Sequence, residues 1–224
     1  MEIFRAEHLE GARAARGTAV VIDVLRAFTT AACAFAGGAR DLLLVDSVKA
    51  AFNLKRRFPD SFLMGEVDGC KVDGFDHGNS PSEFPRDAVR GRRIIQCTGS
   101  GTRCAVAASG ADALFVSSLA IAGATAQAVG PAPVVTLVAS MGCEEGDDAV
   151  ADYLEGLLRG APPAPGEIVR RVRQSPAGRR IASGDYPQYP PADLDVCARL
   201  DAFDFAIRVS REGDLLVARR VEFA

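Results

Sequence analysis

Histidine is nearly missing from this 224-residue chain: only His8 and His77 occur, so a His-rich zinc site is not expected. The six cysteines, at 33, 70, 97, 104, 143 and 197, include no C-x-x-C pair. In a chain of this size they read as reduced thiols rather than a disulfide frame. Positive charge is short as well. With 26 Lys and Arg against 29 Asp and Glu, the net charge is −3, and no basic surplus exists to neutralise a nucleic-acid backbone. No apolar run approaches the length of a membrane span, and the opening MEIFRAEHLEGARAARG lacks the basic-then-apolar order of a signal peptide. The expectation is a cytoplasmic protein with neither a membrane nor a nucleic-acid partner. With histidine scarce, any metal must draw on carboxylates, which favours Mg²⁺ or Mn²⁺.

What is present is an ordinary globular composition, 48% apolar and 25% charged, sufficient for one large core or two small ones. Apolar, β-branched runs predict strands at Thr18 to Val24, Asp41 to Asp46, Ser61 to Met64, Arg92 to Cys97, Ala113 to Val116 and Pro133 to Ala139. Helical patterns follow most of them: Ala27 to Ala36, stopped by Gly37-Gly38; Ser47 to about Arg57; from Cys104; up to Val129; and Asp147 to about Arg159, after a Gly/Glu loop. Alternation of this kind predicts a three-layer α/β/α fold with a mainly parallel central sheet. Residues 1–159 would form its core. From Gly160 a linker, a basic helix (Glu167 to Gln174), the loop DYPQYPP and a hairpin flanking Arg211 to Asp214 read as an appendage packed on the same single domain.

Ligands of such sheets bind outside the carboxyl ends of the strands. There the sequence places Asp23, Asp46, Gly65-Glu66, the turn after Cys97, Ser117-Ser118 and Ser140. The stretch RRIIQCTGSGTRCAV (92–106) turns through small and hydroxyl residues from a strand into a helix, a geometry suited to an oxyanion. Cys97 and Arg103 are also spaced C-x5-R, which admits a thiolate nucleophile, although Gln96 and Ser100 stand where a protein-phosphatase loop carries His and Gly. Arg103 suits a bidentate phosphate clamp on either reading. Asp23 closes a buried strand, where a carboxylate needs a reason to be: an ion pair with Arg26, or a role as metal ligand or nucleophile. The loop GEVDGCKVDGFDHGNSPSEF (65–84) holds Glu66 and Asp76 as catalytic or metal candidates, Asp68 and Asp73 as turn formers, and Ser80-Pro81 with Glu83 as a capping box opening another helix. Asp147 and Asp148 begin the last core helix, where dipole compensation competes with a metal role for one of them.

V-I-D-V-L-R-A-F-T-T (21–30), G-F-D-H-G-N-S-P-S-E (74–83), T-G-S-G-T-R (98–103) and the D-D-A at 147–149 resemble the 2-phosphosulfolactate phosphatase family in order and spacing over roughly Val20 to Ala151. S-P-A-G-R-R (175–180) and the late Cys197 are similar to its tail. The resemblance implies a Mg²⁺-dependent acid phosphatase of α/β/α architecture that cleaves 2-phospho-3-sulfolactate to sulfolactate and phosphate in coenzyme M synthesis. Carried onto this chain, it implies site residues Asp23, Arg26, Glu66, Asp76, Asn79, Ser80, Thr98, Gly101, Thr102, Arg103 and Asp148. The family pattern G-E-R is replaced by Gly65-Glu66-Val67, which removes a positive charge, and its T-T-N-G-T-R is altered so that Ser100 stands in for Asn.

The resulting expectation is a phosphomonoesterase acting on a small phosphorylated metabolite, with a homodimer admitted. Asp23, Arg26, Glu66 and Arg103 would be catalytic; Asn79, Ser80, Thr98, Ser100, Gly101 and Thr102 would bind phosphate; and Asp23, Glu66, Asp76 and Asp148 would hold Mg²⁺, or Mn²⁺. The alternatives are a Cys97/Arg103 thiolate phosphatase and a protein that binds a phospho- or sulfo-metabolite without turning it over.

Overall fold

A computed structural model describes residues 1–141 and 146–222; the Gly/Glu loop lies outside them. Among the described residues ten strands, β1 (Glu2–Glu7), β2 (Thr18–Ile22), β3 (Asp41–Val45), β4 (Phe62–Val67), β5 (Cys70–Lys71), β6 (Arg93–Cys97), β7 (Ala113–Ser117), β8 (Val134–Ala139), β9 (Phe205–Glu212) and β10 (Leu215–Glu222), form one sheet. Their order is β1-β8-β2-β7-β9-β10-β3-β6-β4-β5. The helices are α1 (His8–Arg13), α2 (Ala27–Ala36), α3 (Val48–Arg57), α4 (Gly101–Ala107), α5 (Ala122–Val129), α6 (Asp147–Arg159), α7 (Pro165–Gln174), α8 (Pro176–Ser183) and α9 (Ala192–Cys197).

Two parallel blocks make up the sheet, β1-β8-β2-β7 and β3-β6-β4. The C-terminal hairpin joins them, β9 pairing antiparallel with β7 and β10 antiparallel with β3. The hairpin, expected as an appendage, therefore occupies the middle of the sheet rather than its periphery. Phe205, Ile207 and Val209 turn to one face with α2 and α4, while Ala206 turns to the other with α5, α6 and α7. Both faces are thus buried at Phe205 to Ile207, whereas Arg208 and Ser210 further along β9 are exposed. A cross-strand fork secures the second block: Arg93 Nε and Nη2 donate to the two oxygens of buried Asp41 at 2.8 and 2.7 Å. Burial alone would push that carboxyl up; the Arg93 fork outweighs it and holds Asp41 below its ordinary value.

Several elements lie outside the sequence expectation. β1 and α1 precede β2, with charged residues masking the alternation of EIFRAE. β4 runs on to Val67 and folds back as β5. The helix expected after Ser80 does not form. Glu83 N–H does reach Ser80 Oγ at 3.3 Å, but Pro85 follows at once and disfavours helical backbone at Phe84, leaving only the 3-10 turn Arg86–Val89. The five cysteines among the described residues are free thiols, and Cys70 alone of these is exposed; Cys143 lies outside them.

A central hairpin makes a stability prediction. Phe205→Ala is expected to cost ~3–5 kcal/mol in urea or guanidinium denaturation, the range for emptying a large buried site. A loss under ~1 kcal/mol would fit a peripheral strand instead.

Candidate active site

Although the hairpin reverses strand sense between the blocks, segments leaving β2, β4, β6 and β8 converge on one cavity of about 390 Å³, lined among others by Asp23, Arg26, Glu66, Ser100 and Met141. Segment 186–193 adds Tyr189 to the wall, and Asn79 comes from the long loop. A volume of this order suits a small metabolite.

Asp23 is the deepest acid of this wall, 4% exposed. The chain turns there across a cis Leu25–Arg26 peptide into α2. Asp23 Oδ1 accepts the Ala27 N–H at 2.9 Å, and Oδ2 accepts the Ser140 hydroxyl at 3.0 Å. The same hydroxyl lies 3.3 Å from Oδ2 of Asp147, which is 1% exposed and also accepts N–H groups from Val24 and Met141. One hydroxyl proton thus stands between two buried carboxylates and can serve only one of them at a time. Burial raises Asp23 to about 6; the Ala27 and Ser140 bonds and Arg26 oppose the rise, and Glu66 adds to it. Burial and then the Asp23 charge push Asp147 well above the ordinary range. Two acids held together out of water favour sharing a proton over double ionisation.

Glu66 braces the opposite wall. Its Oε1 accepts Gly99 N–H at 2.7 Å and its Oε2 accepts Gly69 N–H at 2.6 Å, tying the turn after β6 to the β4–β5 turn. Two glycines permit this packing. Gly65 has φ +139° and lies so close to the Cys97 carbonyl that a Cβ would collide with it. At Gly101 a Cβ would stand 2.6 Å from Asp23 Oδ2 and 2.9 Å from the Ala27 Cβ, so only glycine lets α4 begin beside the acid.

The sequence candidates divide. Asp23, Arg26, Glu66, Asn79 and Ser100 line the cavity, and Asp68, read as a turn former, lines it as well. Thr98 and Thr102 instead bond each other, Thr102 N–H to Thr98 Oγ1 at 3.1 Å and Thr98 N–H to Thr102 Oγ1 at 2.8 Å, which fixes the start of α4. The Ser80 hydroxyl is taken by Asp193 at 2.6 Å. Arg103 is exposed and reaches the Gly99 carbonyl at 3.4 Å rather than lining the cavity. Asp76 accepts Leu63 N–H at 2.8 Å, a backbone clasp that keeps it on the outside of the loop. Asp148 faces out to Arg171 at 3.0 Å; its neighbour Asp147 is the residue beside Asp23. Helical spacing carries that signal, because Asp147 shares the inward face of α6 with Val150, Ala151 and Leu154. Cys97 is buried and lies outside the cavity lining. Burial, then the Glu66 and Asp46 charges, push its thiol up to about 11, which disfavours the thiolate.

Among the described residues no group of three or more His, Cys, Asp or Glu is placed to hold a metal ion. The donors that face the cavity are nevertheless all oxygens, from Asp23, Glu66 and Asp68. The Asn79 side-chain oxygen is buried with no partner. Mg²⁺ characteristically takes one or two protein carboxylates and fills its remaining positions with water and phosphate, so this set fits it.

Fold and cavity together define an α/β enzyme with an acidic cleft at its strand ends. The family model for 2-phosphosulpholactate phosphatase matches residues 3–212. A Bacillus subtilis protein named "Probable 2-phosphosulfolactate phosphatase" is 34% identical over 207 residues, which span 90% of this chain and 91% of that protein. Proteins of the same name from Carboxydothermus hydrogenoformans and Deinococcus radiodurans are 44% and 48% identical over shorter stretches, covering 48% and 38% of this chain and 44% and 35% of their own lengths. The chain belongs to the 2-phosphosulpholactate phosphatase family, and so to the hydrolases of phosphoric monoesters.

The raised Asp23 value has a signed consequence. An acid protonated more readily when folded stabilises the fold fully below pH 3.8 and loses that contribution as pH rises through about 6. In EDTA, Asp23→Asn is expected to be more stable than the parent at pH 8, by up to about 3 kcal/mol, with the difference vanishing near pH 4. Thermal melts across that range measure it, and a pH-independent difference contradicts the assignment.

Proposed function

We propose that this cavity hydrolyses the phosphomonoester of a small anionic metabolite, with 2-phosphosulfolactate as the substrate and sulfolactate and phosphate as products. The observation that carries this reading is the Asp23–Ser140–Asp147 group opening beside Glu66, with Arg26 the one cationic side chain lining the cavity among the described residues. A buried acid cluster with so little compensating charge accommodates a divalent cation readily. Asp23 and Glu66 would hold Mg²⁺, or Mn²⁺, which on binding would polarise a phosphoryl oxygen as a Lewis acid.

The remaining roles fall to the chain itself. Arg26 faces the phosphoryl group and carries charge that grows as the ester bond breaks. Asn79 offers its side-chain amide to the same anion or to the ion. Asp147, one hydroxyl behind Asp23 and outside the cavity lining, couples to it through Ser140, so the two buried carboxyls resist double ionisation until a cation binds. Water supplies the oxygen that joins phosphorus as the P–O ester bond breaks, and one of the water's protons ends on the departing ester oxygen. Leu25, Met141 and Tyr189 add the larger apolar and aromatic side chains to the cavity wall.

Phosphate release from 2-phosphosulfolactate and a panel of other phosphomonoesters tests the reading. Turnover should require Mg²⁺ or Mn²⁺, stop in EDTA and return when the ion is restored. Tight binding with no phosphate release at any pH or with any metal would support a binding protein instead. Asp23→Asn should lower kcat by about 10²-fold or more, the scale of a lost acid–base or charge-stabilising group. Cys97→Ser should stay within about twofold of the parent, since a thiol held protonated contributes no nucleophile. Metal-independent activity abolished by Cys97→Ser would overturn the mechanism.

A further inference from the structure

Arg26 is the cavity's cation, yet a long side chain at the start of a helix points nowhere in particular unless something holds it. Here it is held from the far end of the chain. Its Nη1 donates to Asp193 Oδ2 at 2.7 Å and to the Gln188 carbonyl at 2.8 Å, and its guanidinium carbon lies 4.7 Å from the centre of the Tyr189 ring. Arg26 is 3% exposed and Asp193 is fully buried, so solvent does not loosen the pair. With both Nη1 hydrogens taken, the donors left for a ligand are those of Nη2 and Nε, and Nη2 is engaged only at 3.5 Å, by the Gly69 carbonyl.

The other oxygen of Asp193 faces the long loop. Oδ1 accepts the Ser80 hydroxyl at 2.6 Å, the Ser82 N–H at 3.0 Å and the Ser82 hydroxyl at 2.6 Å. Ser80 directly follows Asn79, whose backbone carbonyl accepts the Thr30 hydroxyl at 3.1 Å. One carboxylate on α9 therefore fixes two cavity residues that approach from α2 and from the loop. A buried acid accepting four hydrogen bonds from separate elements is a fully satisfied polar centre of the kind that imposes a single geometry.

We infer that Asp193 is a positioning residue for the hydrolysis: it sets the direction of the Arg26 guanidinium, and through Ser80 the place of Asn79, without touching substrate. The inference rests on the cavity being the phosphomonoesterase site. It assigns to the C-terminal segment a part in activity beyond packing, because a bidentate or in-line anion contact depends on guanidinium orientation and not on charge alone.

A double-mutant cycle separates this role from simple stabilisation. Asp193→Asn keeps the shape and removes the charge. It should lower kcat/KM for phosphate release by about 10- to 100-fold, as a small misplacement of a charge-bearing group does. In an Arg26→Ala background the same substitution should cost several-fold less than in the parent, because the guanidinium it aims is gone and only the placement of Asn79 is left to lose. Equal losses in both backgrounds, or an Asp193→Asn enzyme within about threefold of the parent, would overturn the inference. If Asp193→Asn does not fold by circular dichroism, Arg26→Ala alone decides the matter with added guanidinium ion. The Asp193, Gln188 and Tyr189 box should then seat the free ion and restore kcat/KM saturably, and failure of that rescue counts against the inference. A parent enzyme that releases phosphate from no ester defeats the phosphatase reading itself, and the inference with it.

Discussion

Everything at this site depends on two carboxylates kept close together and away from water. Asp23 and Asp147 share the Ser140 hydroxyl, and each carries backbone N–H bonds that hold it in place. Like charges in such a position resist double ionisation, so the pair either keeps a proton or attracts a cation. The surrounding architecture serves that constraint. Gly101 lets α4 begin against Asp23, Glu66 pulls the two turns together across the cavity, and α6 presents Asp147 from its inward face.

The sheet explains how residues so distant in sequence arrive there. Four strand ends contribute, from β2, β4, β6 and β8, in two parallel blocks that the C-terminal hairpin ties together. The hairpin completes the core between the blocks, and the segment before it supplies Tyr189 and Asp193. The last quarter of the chain thus contributes to the cavity through both its packing and its polar contacts.

Much of this was legible in the residues. The alternating β-branched runs and helical stretches showed an α/β fold with a mainly parallel sheet, and the acid at the end of β2 stood out because a buried carboxylate needs a reason to be there. The D-x-x-R and G-N-S-P stretches marked Asp23, Arg26 and Asn79 for the cavity wall. What the residues did not reveal was orientation. Asp148 and Asp147 are adjacent in sequence but point about 100° apart around one helix, Asp147 inward and Asp148 toward Arg171. Thr98, Thr102 and Ser80 look like phosphate ligands, yet their hydroxyls are spent inside the protein. The central place of the hairpin and the role of Asp193 were hidden because strand order and long-range acid pairing leave no local pattern. Asp193 comes just after the loop DYPQYPP, and its burial follows only from the elements packed around it.

The central claim, that the acid cleft around Asp23 is where an ion and a phosphoryl group meet, is tested most directly by a crystal soaked with Mg²⁺ and a phosphate or sulfolactate mimic. The account predicts the ion on Asp23 and Glu66 and the anion against Arg26. An ion on Asp76 or Asp148, or an anion seated at Arg103 away from Arg26, would contradict it.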